Sequence, residues 1–187
     1  MSLCLFQGTF NPIHQIHLDV ASYALENYDF DKIIFIPAYV PPHKDVDKEL
    51  ANHRFRMVEL ATKFEPRFEV SDIEYKRGGK SYTYLTVLEL KKIYNTDINF
   101  LIGTDAFEKI ETWYEVDKLK ELVHFIVFQR REEFNKESFD YLKSKGYDFE
   151  FADKKFVDVS STSIRNSDIG TGIKEVEEYI REHGLYK

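Results

Sequence analysis

Two apolar runs with a helical stretch between them constrain the fold more than any other feature of this sequence. Leu3–Phe6 and Lys32–Pro37 are short and apolar, which is typical of strands buried on both faces. From about His14 to Asn27, apolar residues recur at helical spacing. A strand, a helix and a second strand form a βαβ unit, whose two strands run parallel. The sequence therefore predicts a parallel sheet.

The same alternation of strands and helices continues along the rest of the chain. Further extended segments are predicted at Phe68–Val70, with an irregular continuation at Ile73–Tyr75, and at Asn99–Gly103, His124–Phe128, Phe149–Phe151 and Phe156–Val159. Helices are predicted at Ala51–Lys63, from a cap at Ser81–Thr83 to about Tyr94, and at Ala106–Ile110, Val116–Leu122, Ser138–Lys145, Ser161–Asn166 and Ile173–His183. This pattern predicts the α/β class, with a Rossmann-like, doubly wound parallel sheet in a single domain over residues 1–187.

Composition and charge limit the kinds of partner that this chain can have. Hydrophobic residues make up 43% of the sequence, which is ample for a core. The formal net charge of −7 argues against nucleic-acid binding, which needs a basic face. Cys4 is the only cysteine, which excludes an intramolecular disulfide and a multi-cysteine metal site. No apolar run approaches the length of a membrane span, so we expect no membrane partner and a cytoplasmic location.

The turn after the first predicted strand has the features of an anion site. Gly8, Asn11 and Pro12 break the strand, and a helix begins near His14. Unpaired N–H groups and the positive end of the helix dipole meet there, at the carboxyl end of a parallel strand. His14 and His17 are three residues apart, so on a helix they share one face. Two imidazoles beside such a cradle favour phosphate chemistry over a purely structural role.

The same stretch, GTFNPIHQIH at Gly8–His17, resembles the signature (G)-G-[ST]-F-[DN]-P-x-H-x-G-H of the nucleotidylyltransferase superfamily. The positions that match are Gly8, Thr9, Phe10, Asn11, Pro12, His14 and His17. Gln7 and Ile16 stand where the signature has glycine. The resemblance implies transfer of a nucleotide from a nucleoside triphosphate to a phosphate-bearing acceptor, with release of pyrophosphate. The branched side chain of Ile16 is expected to crowd the adenosine.

A second phosphate-binding pattern lies at Val159–Arg165 (VSSTSIR). Its hydroxyls precede a predicted helix, where such residues are often plain N-caps, and an arginine follows one turn later. The stretch resembles the superfamily's I-S-[ST]-T-x-[IV]-R motif. That resemblance implies that Ser161, Thr162 and Arg165 hold the triphosphate.

Four further segments resemble those of the nicotinate-nucleotide adenylyltransferases. They are Pro41–Lys44 (PPHK), Ser81–Thr83 (SYT), Ile102–Asp105 (IGTD) and Thr112–Tyr114 (TWY), and Arg130 also falls where this family has an arginine. By its chemistry alone, Trp113 is either a core residue or a stacking platform for a flat ring. The resemblance favours stacking on a pyridine ring.

The resemblance implies an enzyme that moves AMP from ATP to nicotinate mononucleotide in NAD biosynthesis. The implied catalytic residues are His14, His17, Lys44 and Arg165, and the implied ATP-binding residues are Gly8, Thr9, Phe10, Ile16, Gly103, Asp105, Ser161 and Thr162. The implied acceptor-binding residues are Tyr82, Thr83, Trp113, Lys44 and Arg130. Mg²⁺ is expected to bind through the ATP phosphates, with no metal site made by protein side chains.

Other interpretations of the sequence stay open at this point. Within the superfamily, the acceptor could be nicotinamide mononucleotide or pantetheine phosphate. The altered signature could also belong to a non-catalytic protein that binds adenine nucleotides, or to an α/β domain with incidental histidines. A homodimer is possible, although no residue of the sequence indicates one.

Overall fold

The computed structural model describes residues 2–130, 134–156, 161–166 and 170–187. Within these ranges six strands form one sheet: β1 (Leu3–Gly8), β2 (Lys32–Pro37), β3 (Phe68–Val70), β4 (Ile98–Gly103), β5 (Val123–Gln129) and β6 (Phe149–Lys155). Their order is β3-β2-β1-β4-β5-β6, and every neighbouring pair is parallel. The chain therefore builds outward in one direction from β1 and then in the other from β4. This confirms the predicted α/β class with a Rossmann-like, doubly wound sheet.

Helices connect the strands of this sheet. The described helices are α1 (Gln15–Asn27), α2 (Ala51–Thr62), α3 (Ile73–Arg77), α4 (Thr83–Tyr94), α5 (Thr104–Phe107), α6 (Val116–Leu119), α7 (Asp140–Ser144), α8 (Ser161–Arg165) and α9 (Lys174–His183). Short 3₁₀ turns lie at Lys48–Leu50, Ile110–Thr112 and Lys136–Phe139. Among the described helices, none is long and apolar enough to cross a bilayer.

Alternation along the strands divides the core into two layers, one on each face of the sheet. In β1, Leu3 and Leu5 belong to one buried cluster, whereas Cys4 and Phe6 belong to the other. This division follows from the period of two along a strand. Helices α1, α2 and α9 contribute to the cluster around Phe6, and α4 contributes to the cluster around Leu5. Both faces are covered, which leaves the carboxyl ends of the strands as the place for a site.

One of the predicted extended segments was wrong. Ile73–Tyr75 lies in helix α3, whose Ile73 N–H donates to the Ser71 hydroxyl and whose end is closed by Gly78 at φ +72°. A segment this short shows too little periodicity for strand and helix to be told apart. Phe149–Phe151 is part of a longer strand, β6, and Phe156 lies just beyond its end. Residues 157–159 of the predicted Phe156–Val159 segment lie outside the described residues.

Several predicted helix boundaries were also shifted. Helix α5 begins at Thr104, directly after β4, and not at Ala106. The helix predicted at Val116–Leu122 ends at Leu119, and the one predicted at Ser138–Lys145 is a 3₁₀ turn followed by α7. The early start of α5 places Thr104 and Asp105 in its first turn, beside the end of β1.

Candidate active site

The turn between β1 and α1 is shaped by Gly8 and Phe10. A Cβ atom at Gly8 would lie 3.0 Å from the ring of Phe10. Any residue other than glycine would therefore push this ring out of its position. Phe10 has φ +48° and is buried, with its ring edge-on to Phe6 at 5.6 Å. The predicted ATP-binding residue Phe10 therefore packs its side chain into the core, while its backbone forms the turn.

A buried arginine that the sequence analysis did not single out holds this turn against the neighbouring strand end. Arg54, in α2, is 0% exposed. Its guanidinium donates to the carbonyl oxygens of Thr9 at 2.8 Å, Ala38 at 2.7 Å and Tyr39 at 3.0 Å. These oxygens lie just after β1 and β2, so one side chain joins the two strand ends. Burial lowers the pKa of Arg54 from its ordinary value.

The two predicted histidines lie together at the start of α1. Their rings stack with centroids 3.9 Å apart, and the backbone N–H of His14 donates to Nδ1 of His17 at 3.0 Å. Nδ1 of His17 therefore accepts, which places the proton of the neutral ring on Nε2. His14 is 1% exposed, and neither of its ring nitrogens has a hydrogen-bond partner among the described residues.

Both histidines are neutral near pH 7. Burial, and then the charge of Arg130, lowers the pKa of His14 to about 4. Burial also lowers the pKa of His17 well below its ordinary value, with further contributions from His14, Arg130 and Lys44. A neutral imidazole can still donate one hydrogen bond. The pair thus offers donors to an anion without itself being charged.

Arg130 acts on both histidines and Lys44 acts on His17. Burial lowers the pKa of Lys44, and repulsion from Arg130, Arg165 and Lys109 lowers it further. In the part of the chain that the structure describes, none of these four cations forms a salt bridge with a carboxylate. A positive cluster in a chain of net charge −7 is suited to bind an anion. Lys109 was not predicted, because the turn after α5 resembled no motif.

Arg165 joins the carboxyl-terminal part of the chain to the turn after β1. Its Nη1 donates to the carbonyl oxygen of Asn11 at 2.6 Å, and its Nη2 donates to the hydroxyl of Thr162 at 3.2 Å. The phenol of Tyr186 donates to the Asn11 side-chain oxygen at 2.5 Å. Thr162 is exposed, and the side chain of Ser161, the first residue of α8, lies outside the described residues.

The end of β4 lies beside the end of β1, and the region between these two strand ends is called the cleft below. A Cβ atom at Gly103 would lie 2.9 Å from Cδ of Arg130, so the glycine leaves room for the arginine stem to cross the strand. The backbone N–H of Arg130 donates to the Thr104 hydroxyl at 3.3 Å. Asp105 lies exposed in the first turn of α5. Gly103 and Asp105 thus lie at the end of β4, and Arg130 lies directly after β5.

The segments predicted to bind the acceptor lie around the start of α4. The Ser81 hydroxyl accepts hydrogen bonds from the backbone N–H groups of Tyr39 at 2.8 Å and Val40 at 3.2 Å, which anchors the loop that carries Lys44. The rings of Tyr82 and Tyr114 stack with centroids 4.4 Å apart.

Trp113 and Ile16 have mixed surroundings. Trp113 is half-buried, with its ring edge-on to Phe100 at 6.1 Å, so it belongs partly to the core and keeps an accessible part. Ile16 is half-buried and packs against the core cluster around Phe6. Part of the Ile16 side chain is thus used in packing α1 against the core.

The fold and site together define a nucleotidyltransferase of the cytidylyltransferase-like family, whose model matches residues 5–167. A "Probable nicotinate-nucleotide adenylyltransferase" of Clostridium botulinum (strain Kyoto) is 40% identical over 195 residues, covering 96% of each chain. A protein of the same name from Fusobacterium nucleatum is 38% identical, covering 89% of this chain and 86% of that one. The chain belongs to the nicotinate-nucleotide adenylyltransferase family.

A solved structure supports the same architecture at lower sequence similarity. The nicotinic acid mononucleotide adenylyltransferase of Plasmodium falciparum, in complex with NaAD, is 20% identical and superposes with a TM-score of 0.79. The match covers 99% of this chain and 97% of that chain. At this level of identity the comparison establishes the shared fold.

Proposed function

We propose that this chain transfers AMP from ATP to nicotinate mononucleotide, forming nicotinate adenine dinucleotide and pyrophosphate in the biosynthesis of NAD. The observation that carries the proposal is the pair of neutral histidines at the start of α1, of which His14 is buried and His17 half-buried, with the cations Arg130 and Lys44 acting on them. Membership of the adenylyltransferase family supports both the donor and the acceptor.

The proposed triphosphate site uses His14, His17, Lys44 and Arg165 as charge stabilisers. The acceptor's phosphate is already ionised and nucleophilic at neutral pH, so the reaction needs no side chain as general base. The lowered pKa of each histidine agrees with this, because a neutral ring that donates a hydrogen bond suits an oxyanion. Alignment and charge neutralisation are then the main contributions of the protein.

The remaining ATP contacts are proposed from their placement around the same cleft. They are Gly8, Thr9, Phe10 and Ile16 at the turn and start of α1, Gly103 and Asp105 at the end of β4, and Ser161 and Thr162 at the start of α8. Backbone groups carry the contacts of Gly8 and Phe10, since Gly8 has no side chain and the Phe10 ring is buried. The exposed carboxylate of Asp105 suits ribose hydroxyls.

Mg²⁺ is proposed to enter with ATP, bound through the phosphate oxygens. The donor set fits this arrangement: the groups gathered at the cleft are cations and neutral imidazoles, which bind phosphate oxygens and leave the remaining oxygens to the metal ion. When bound, the ion supplies further charge neutralisation.

The acceptor is proposed to lie between the start of α4 and the Trp113 segment, held by Tyr82, Thr83, Trp113, Lys44 and Arg130. The accessible part of Trp113 offers a surface for the pyridine ring. The cations suit the acceptor's phosphate. We also propose a cytoplasmic location, and a homodimer remains a proposal that oligomeric-state measurements decide.

Pyrophosphate release from ATP and Mg²⁺ tests the proposed function. Nicotinate mononucleotide, nicotinamide mononucleotide and pantetheine phosphate are supplied in turn as acceptors, with His17→Ala as the control. The proposal expects the fastest release with the nicotinate nucleotide and its loss in the variant. ATP binding without release for any acceptor would instead favour a non-catalytic nucleotide-binding protein.

A further inference from the structure

Gln7 precedes Gly8 directly, at a position where the superfamily signature has glycine. Both the nitrogen and the oxygen of its side-chain amide form hydrogen bonds. Nε2 donates to the Glu74 carboxylate of α3, and Oε1 accepts from the Thr83 hydroxyl of α4. Thr83 is the first residue of α4. One side chain at the end of β1 therefore joins α3 to the start of α4.

The direction of these hydrogen bonds is fixed by chemistry. When Glu74 is ionised, its Oε2 accepts from the Thr86 hydroxyl at 2.5 Å and presents only lone pairs to Gln7. Gln7 must therefore turn its N–H₂ toward Glu74 and its carbonyl oxygen toward Thr83. The only hydroxyl proton of Thr83 is then committed to Gln7, which fixes the side-chain rotamer of Thr83.

The partner of Gln7 is itself held firmly. Glu74 is 0% exposed, and Thr86, which donates to it, also accepts from Nη2 of Arg77 at 2.9 Å. Arg77 forms a further salt bridge with Glu89 at 3.2 Å. Burial raises the pKa of Glu74 to about 7, against the lowering effects of Thr86, Arg77 and Gln7. Removing the Gln7 donor would make this buried carboxylate harder to accommodate.

We propose that Gln7 is a positioning residue for the acceptor, acting through Glu74 and Thr83 to fix the start of α4 against the end of β1. The inference rests on the proposed function, because it is the acceptor that Thr83 and Tyr82 are proposed to hold. Both side-chain hydrogen bonds of Gln7 go to Glu74 and Thr83, neither of which is a proposed ATP contact. Loss of the Gln7 side chain is therefore expected to weaken acceptor binding selectively.

The experiment measures Michaelis constants for both substrates in wild type, in Gln7→Gly and in a matched control, Asn99→Ala. Asn99 also donates a side-chain amide hydrogen bond to β1, to the Leu3 carbonyl oxygen at 3.0 Å, but at the opposite end of the sheet. Gln7→Gly is expected to raise the Michaelis constant for nicotinate mononucleotide about tenfold, the effect of losing one charged hydrogen bond, and to change that for ATP less than about twofold. Asn99→Ala is expected to lower the thermal midpoint without changing either constant.

Exchanging the two partners supplies a rescue test. Gln7→Glu alone places two carboxylates together and is expected to raise the acceptor constant further. Adding Glu74→Gln restores one amide and one carboxylate, with the amide of residue 74 as donor, and is expected to return the constant to within about threefold of wild type.

The outcomes separate this inference from the proposed function. The wild-type rate tests the function by itself, and the Michaelis constants of each variant are compared only with those of the wild type. Equal increases in both Michaelis constants for Gln7→Gly, or an unchanged acceptor constant, would overturn the positioning role. If the exchanged variant does not fold, the test rests on Gln7→Gly, in which the change in the acceptor's Michaelis constant is compared with the change in that for ATP.

Discussion

Replacing Arg54 with methionine tests how far the cleft depends on one buried guanidinium. Methionine keeps much of the side-chain length and apolar volume but has no donors. The carbonyl oxygens of Thr9, Ala38 and Tyr39 would each lose the charged partner that now lies 2.7–3.0 Å away. A buried acceptor left unpaired costs about 1–3 kcal/mol.

The expected total loss of stability is smaller than three such penalties at their upper value of about 3 kcal/mol each. Removing the guanidinium also removes the cost of burying its charge, and the turn can relax toward solvent. We expect Arg54→Met to lower the free energy of unfolding by about 3–5 kcal/mol. Since domains of this kind are stable by about 5–15 kcal/mol, the variant is expected to remain folded but close to its limit.

Urea denaturation at pH 7 measures this loss, with Arg54→Lys as the control. The lysine ammonium keeps the charge but cannot span three carbonyl oxygens in a fixed fork, so an intermediate loss is expected. A loss below about 1 kcal/mol for the methionine variant, or equal losses for both variants, would refute the argument that this bonding pattern is what Arg54 contributes. A folded methionine variant should also show a raised Michaelis constant for ATP, because Thr9 lies in the proposed nucleotide turn.

Three further outcomes are expected. Ile16→Gly should lower the Michaelis constant for ATP by removing a branched side chain beside the turn; an unchanged or higher value would contradict this. Gly103→Ala places a Cβ atom 2.9 Å from Cδ of Arg130, so the arginine must move, and activity should fall about tenfold with the thermal midpoint little changed. Because burial and Arg130 lower the pKa of His14 to about 4, from an ordinary 6.5, the unfolded chain binds the extra proton between these values. Stability due to His14 is therefore present above pH 6.5 and lost as pH falls toward 4, by up to about 3 kcal/mol, and urea titrations should show a flatter profile for His14→Gln.

The local parts of the structure could be predicted from the sequence, whereas the contacts between distant segments could not. The β1 strand, the turn at Gly8 and helix α1 are contiguous, so hydrophobic period and turn residues were sufficient to place them. Nothing in the sequence singled out Arg54, because its burial depends on carbonyl oxygens from two other segments. Glu74 was placed in an irregular strand, and only the fold shows that it is a buried partner of Gln7.

Trp113 shows a second limit of sequence reasoning. The ring contacts Phe100 and also keeps an accessible part, so the core interpretation is partly confirmed and the stacking platform stays a prediction. Periodicity assigns a residue to one side of an element. It does not predict that one part of a large ring packs in the core while another part stays exposed at the cleft.

The hydrogen bonds that Asn11 makes with Arg165 and Tyr186 also bear on how the protein is made. These hydrogen bonds join residues 154 and 175 positions apart in the chain. The turn after β1 can therefore form them only after Arg165 and Tyr186 have been synthesised and have left the ribosome. Long-range contacts of this kind slow the last stage of folding. A label attached beside Tyr186 would lie next to these hydrogen bonds, whereas one attached at Ser2 would lie at the opposite end of β1 from the turn. For kinetic work a label at Ser2 is therefore the safer choice.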